Sequence, residues 1–154
     1  MLVVVLFASG CASAKQYVAL PDQKVEVENQ EMGRIYVLRP SSLGAAISMA
    51  VKDDNQLVGD TGAGSFLCWE RNPGEAKITG KAENESWVKM YVDKGKRHYV
   101  LQRMQMGAFI ARNKMEVISE EEGKKYLGKC KPPKVLIGKE NTKKPEAAEQ
   151  KEEK

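Results

Sequence analysis

The chain has 154 residues, room for one domain with short tails, and its 42% apolar content is ordinary for a protein with a real core. Its 25 Lys and Arg against 21 Asp and Glu leave a net charge of +4, with both signs mixed along the chain. A nucleic-acid binder gathers its cations in a stripe with aromatics interleaved; that pattern is missing, so nucleic acid is excluded as an expected partner.

The first informative element is Leu2 to Phe7, an uninterrupted apolar run followed by Ala8, Ser9, Gly10 and Cys11. A short greasy run ending in small residues reads as the h-region and cleavage site of a secretory signal, and it is far shorter than the roughly 20 apolar residues a bilayer span needs. Small residues directly before a cysteine resemble the bacterial lipobox. That resemblance implies a diacylglycerol on the Cys11 thiol, cleavage before it, and further acylation with fatty acids such as palmitate. Two features depart from the pattern: Ala8 stands where the lipobox usually has Leu, and no Lys or Arg precedes Lys15. Ala12, rather than Asp, follows the cysteine, which resembles the signal for an outer-membrane address facing the periplasm. Residues 1–10 are therefore expected to be a lipoprotein signal segment. Residues 11–31, polar with Pro21 and isolated apolar side chains, are expected to be a tether.

From Gly33 the pattern turns to period two. Arg34 to Arg39 is predicted as a strand stopped by Pro40. Ile47, Met49 and Val51 alternate with polar or small residues, Asp53-Asp54-Asn55 makes a turn, and Gln56 to Asp60 returns as a hairpin arm. A strand over Ser65 to Arg71 follows, then the turn Asn72-Pro73-Gly74, then alternation through Ala76, Ile78, Gly80 and Ala82. Val88, Met90 and Val92 share one strand face, with Trp87, Lys89 and Tyr91 on the other. Arg97 to Met106 and Ala108 to Ser119 are two longer strands. Short strands with turns at this spacing, and no intervening amphipathic helices, predict an all-β antiparallel sandwich, immunoglobulin-like or related, over residues 32–130.

One short helix is predicted over Glu120 to Leu127, with Ser119 and Glu122 as a capping box and Gly128 as a stop. Gly123 inside it costs about 1 kcal/mol, so the helix depends on docking Tyr126 and Leu127. Residues 131–154 are rich in Pro, Lys and Glu and are expected to be a disordered charged tail, with Val135-Leu136-Ile137 as an apolar patch able to add a strand.

The run Gly33 to Ser42 (GRIYVLRPSS), Val58-Gly59-Asp60, Pro73-Gly74, Met106 to Phe109 (MGAF) and Glu121 to Lys125 together resemble a family of bacterial lipoproteins of unknown function, over roughly residues 31 to 131. The resemblance implies a small extracellular β-sandwich. It transfers no catalytic residue, since the family carries no established activity. Asn72-Pro73-Gly74 departs from the family, which often has two prolines or Pro-Pro-Gly there.

Few side chains suggest chemistry. With Cys11 lipidated, Cys68 and Cys130 remain as an even pair in an oxidising compartment, and a bridge between them is a possible staple worth on the order of 4 kcal/mol. Two cysteines and one histidine without close spacing do not suggest zinc. His98 is the sole histidine and lacks a nucleophile motif nearby, so a hydrogen-bonded strand histidine is the expectation. Gly62-Ala63-Gly64 lacks the third glycine and the following helix of a phosphate loop and reads as a tight turn. Asp53, Asp54 and Asp60 match no calcium loop. Asn84-Glu85-Ser86 matches a glycosylation sequon that needs a eukaryotic secretory pathway. Trp87 and Tyr91, with Tyr99, either form an aromatic binding patch or lie on a face covered by the second sheet of the sandwich. The sequence thus points to a lipid-anchored envelope protein of non-enzymatic binding or structural role, with a protein partner in the envelope expected and no cofactor or metal. The alternative is an accessory domain that binds a glycan or lipid.

Overall fold

The computed structural model describes residues 13–106 and 111–137. The signal segment 1–10 and Cys11 lie outside the described residues, as do residues 107–109 of the MGAF motif and the tail from residue 138.

Where the sequence alternates, strands form: β1 (Lys15–Gln16), β2 (Gly33–Arg39), β3 (Met49–Asp53), β4 (Gln56–Thr61), β5 (Ser65–Arg71), β6 (Gly74–Lys81), β7 (Glu85–Val92), β8 (Arg97–Met106), β9 (Ala111–Ile118) and β10 (Lys134–Val135), with helix α1 (Glu120–Leu127). They build a six-stranded sheet, β10-β1-β4-β3-β6-β7, and a four-stranded sheet, β5-β2-β8-β9. The two face each other as an all-β sandwich. Ile35, Val37, Val51, Val58, Leu67, Trp69, Ala76, Ile78, Val92, Val100 and Met115 fill the space between them. Burying such side chains contributes about 1.5–3 kcal/mol each before chain entropy is counted.

The pairing is not antiparallel throughout. β2 pairs β8 in parallel, from Arg34 opposite Arg97 to Leu38 opposite Leu101, and β1 pairs β10 in parallel. A parallel pair suits a strand covered on both sides, because both of its faces must be apolar. Every residue of β2 is buried. Its second face, with Phe66, Cys68, Tyr99 and Leu101, lies under Leu20, Tyr126, Leu127 and Cys130.

Helix α1 provides part of that cover. Ser119 caps it by accepting the Glu122 N–H at 3.2 Å, and Gly128 closes it in a right-handed conformation. The glycine within it is explained by close approach: a methyl at Gly123 would collide with the Tyr99 ring. Helix propensity gives way there to helix–sheet distance.

The expected tether over 11–31 is corrected by the fold over its described part. Ala14, Gln16, Pro21 and Val27 are buried, and the segment runs along the open edge of β5. The Gln16 amide does there what a strand would do: its Nε2 donates to Cys68 O at 2.7 Å, and its Oε1 accepts the Cys68 N–H at 3.0 Å. Farther on, Arg34 donates to the Asp22 and Val25 carbonyls at 3.0 and 2.9 Å. An exposed sheet edge invites pairing with other chains, and polar side chains that mimic a backbone close it. Their lack of hydrophobic period is what made the segment read as a spacer.

The tail also begins later than expected. Lys131 bridges Ser65, and Lys134–Val135 add the strand β10 beside β1. On the opposite flank, side chains rather than ladder bonds join β7 to β9. Asn84 exchanges two hydrogen bonds with the Asn113 backbone at 2.9 and 2.7 Å, and Ser86 Oγ accepts the Met115 N–H at 3.0 Å.

Candidate functional site

The outer face of the β6–β7 hairpin carries the two exposed aromatic side chains of the described residues. Val88, Met90 and Val92 point inward to the core, so alternation sends Trp87, Lys89 and Tyr91 outward. Trp87 is 51% exposed and Tyr91 62%. Across the hairpin, Trp87 faces Thr79, Lys89 faces Lys77 and Tyr91 faces Glu75. The two lysines stand directly opposite each other, a repulsive placement that the indole face relieves: Lys77 Nζ lies 5.0 Å from the Trp87 ring centre and Lys89 Nζ 5.9 Å. Beside Tyr91 lies an open groove of about 490 Å³, floored by Ala76 and Met90 and rimmed by Asp54, Glu75, Lys77 and Lys89. This surface offers flat apolar rings within a rim of both charges. Such a surface suits contact with a polymer or a protein.

Tyr99 is not part of this patch. It sits on β8 in the other sheet, 1% exposed, stacked on Tyr36 with centres 5.1 Å apart and covered by Gly123. The alternation placed it correctly in a strand, but the cover comes from a helix glycine 24 residues later.

The remaining candidates have structural partners. His98 Nε2 accepts the Asp93 N–H at 3.0 Å and so holds the turn before its own strand. The Asp53 carboxylate pairs with Arg71 and accepts Trp69 Nε1–H at 2.7 Å. Burial pushes its carboxyl above the usual range despite those two donors. Asp54, in a left-handed conformation, accepts the Lys77 N–H at 3.0 Å, and Asp60 accepts the Tyr17 hydroxyl at 2.7 Å. The three aspartates therefore do not converge on a cation, and no metal-binding set of His, Cys, Asp and Glu occurs among the described residues. Gly62 and Gly64 make a tight turn in which Ser65 Oγ accepts the Gly62 N–H at 2.9 Å.

The possible disulfide is likewise corrected, for both thiols are free. The register explains why. Cys68 stands opposite Tyr36, whereas Cys130 precedes Lys131, which bridges Ser65 opposite Arg39. Three residues along a strand are about 10 Å, beyond the roughly 7 Å that a bridge spans. Burial pushes each thiol up to about 11.

Sequence reasoning placed Lys89 on the face of Trp87 and Tyr91 but did not bring Lys77 there. The signal was present in the Trp87-x-Lys89-x-Tyr91 spacing, but the partner lysine needs the hairpin register.

No family model matches the chain. The chain is 29% identical over 136 residues to an uncharacterized protein of Haemophilus influenzae (strain ATCC 51907 / DSM 11121 / KW20 / Rd), in an alignment covering 82% of this chain and 77% of that protein. Among solved structures, it is similar to the NMR structure of a protein from Eubacterium rectale at 12% identity and a TM-score of 0.41, over 62% of this chain and 96% of that one.

Proposed function

We propose that the chain is a bacterial envelope lipoprotein, anchored through acyl groups on Cys11, whose domain is a non-enzymatic module that docks a protein partner on the outer face of β6 and β7. The observation that carries the docking face is the pair Trp87 and Tyr91, both more than half exposed on one strand. Large aromatic side chains left in water lose the stabilisation that burial gives, and interfaces are enriched in them. The groups best suited to acid–base or nucleophilic work, His98, Asp53 and Cys68, are instead built into turns, ion pairs and core. For the anchor, the support is the order of apolar run, small residues and cysteine; the address proposed is the outer membrane, facing the periplasm.

Intact mass spectrometry of the protein from its native membrane tests the anchor: cleavage before Cys11 with added acyl mass is expected, and an unmodified first ten residues would sink it. For the face, a photocrosslinker at position 89 should trap one partner in intact envelopes, and Trp87→Ala with Tyr91→Ala should abolish that product. Loss of neither product nor yield in the double variant would refute the docking face.

The groove beside Tyr91 favours a second reading, in which the same face holds a glycan or lipid. Trp87 is the exposed tryptophan and Trp69 the buried one, so a ligand stacking here should quench the solvent-exposed part of the emission.

A further inference from the structure

The two ends of the sandwich differ in charge, and the chain enters the fold at the basic one. Ala14 leads into β1, which pairs the end of β4 (Lys15 opposite Asp60). The end of β4 is tied to the end of β2, because Arg39 donates to Thr61 O at 3.2 Å. β8 runs parallel to β2, so its end, Met106, and the start of β9 lie at this pole too. Helix α1 runs the same way and delivers Lys129 and Lys131 there, with Lys131 beside Ser65. The loop between β2 and β3 completes the pole, held by Arg39 Nη2 donating to Gly44 O at 2.8 Å.

On the outer face of the β8–β9 hairpin, Arg103 stands directly opposite Lys114, and Gln105 opposite Arg112. Facing cations such as Arg103 and Lys114 destabilise a hairpin. Neither they nor Lys129 and Lys131 join any ion pair among the described residues. Three acids stand near them: Glu116, on the same face, is opposite Leu101, and Glu83 and Glu85 flank Asn84, which bonds the Asn113 backbone between Arg112 and Lys114; the cations of the pole outnumber them. Two apolar side chains are exposed at this pole: Leu43, 43% exposed, and Met106, 66% exposed. At the opposite pole, Asp22, Glu26, Glu28, Glu31 and Asp93 stand among the cations, and Lys94 pairs with Glu31.

We propose that the entry pole is a docking surface for an anionic lipid bilayer. Arg103, Arg112, Lys114, Lys129 and Lys131 meet headgroup phosphates, and Leu43 and Met106 enter the interface. The inference rests on the reading of Cys11 as the anchor. Because Ala14 is buried, the three residue steps back to Cys11 span about 10 Å at most, so an acylated Cys11 brings this pole, and no other, against the membrane. Acyl chains and a basic patch then act as two signals on one surface.

The test uses the protein extracted from its native membrane, its intact mass recorded, and reconstituted on vesicles of phosphatidylcholine with or without phosphatidylglycerol. Hydrogen exchange over 41–47 and 103–106 should slow on the anionic vesicles, and added salt should reverse the effect. Arg103→Gln with Arg112→Gln and Lys114→Gln should remove the slowing and weaken anionic-vesicle partitioning on the order of a hundredfold. Lys24→Gln with Lys94→Gln and Lys96→Gln, at the far pole, should change neither. Equal exchange on both vesicle types, or protection by an acidic peptide but not by anionic lipid, would overturn the inference. An acylated mass without slowing removes the pole and keeps the anchor; slowing without acyl mass removes the anchor and keeps the basic pole.

Discussion

At Gly123, one hydrogen atom in place of a methyl decides how close a helix lies to a sheet. Replacing a mid-helix glycine by alanine ordinarily stabilises by about 0.5–1 kcal/mol. Here Gly123→Ala should instead destabilise by about 1–3 kcal/mol, because the Tyr99 ring occupies the space and the core is overpacked; thermal unfolding reads the sign. Glu70 shows the same sensitivity in charge. Burial raises its carboxyl, but the N–H groups of Glu28 and Asn29 and the fully buried Arg34 outweigh that and hold it below its ordinary value of 4.5. A depressed folded value contributes stability above the unfolded value that is lost as pH falls through the folded one. Glu70→Gln should therefore cost about 3 kcal/mol at neutral pH by leaving the buried Arg34 charge without its carboxylate, and the gap to wild type should close in acid urea titrations below the ordinary carboxyl range. The cysteines follow from burial as well. With both thiols raised to about 11, neither Cys68 nor Cys130 should alkylate quickly at neutral pH until the fold is opened, and oxidised and reduced samples should run alike on a gel.

Among the elements, hairpins were the easiest to foresee. Period-two alternation and turn residues locate β3 through β9 to within a few residues, and the Ser119 cap and Gly128 stop bound α1 as predicted. What alternation cannot show is pairing between distant strands. Ile35 to Leu38 form an unbroken apolar run, which is the mark of a strand covered on both faces, yet the run does not name β8 as its parallel neighbour. The arm over residues 13–32 was illegible for a different reason. Its contacts are made by amides, carboxylates and carbonyls, which carry no period. Trp87 and Tyr91 were legible as sharing the strand face opposite Val88, Met90 and Val92, but not as exposed, since a second sheet could have covered that face; Tyr99 was not legible as buried. Gln16→Leu tests the arm as an element. It leaves the N–H and carbonyl of Cys68 without their partners, each worth about 1–3 kcal/mol if still buried. Unfolding should shift accordingly, and amide exchange at Cys68 should rise from protected to fast while that of Ile35, in the core ladder, speeds up only by the loss of global stability.

The whole molecule separates a stable interior from two surfaces of different character. Trp87→Ser with Tyr91→Ser should lower stability by no more than about 1 kcal/mol, the loss of the indole from Lys77 and Lys89, since neither ring lies in the core; a larger drop would mean that the rings serve the fold rather than a contact. The charge division between poles could not be read along the chain, because its cations come from β8, β9 and the segment after α1 and meet only in three dimensions. The parallel pairing of β1 with β10 has a directional effect on all of this. Two strands lying side by side and pointing the same way place their beginnings at one pole and their ends toward the other: the backbone reaches Lys15 from the basic pole and leaves Val135 heading for the opposite one, where both signs are mixed. If the beginning is moored to a bilayer, Lys134–Val135 run away from it, so the two ends of the described chain are not held at one surface.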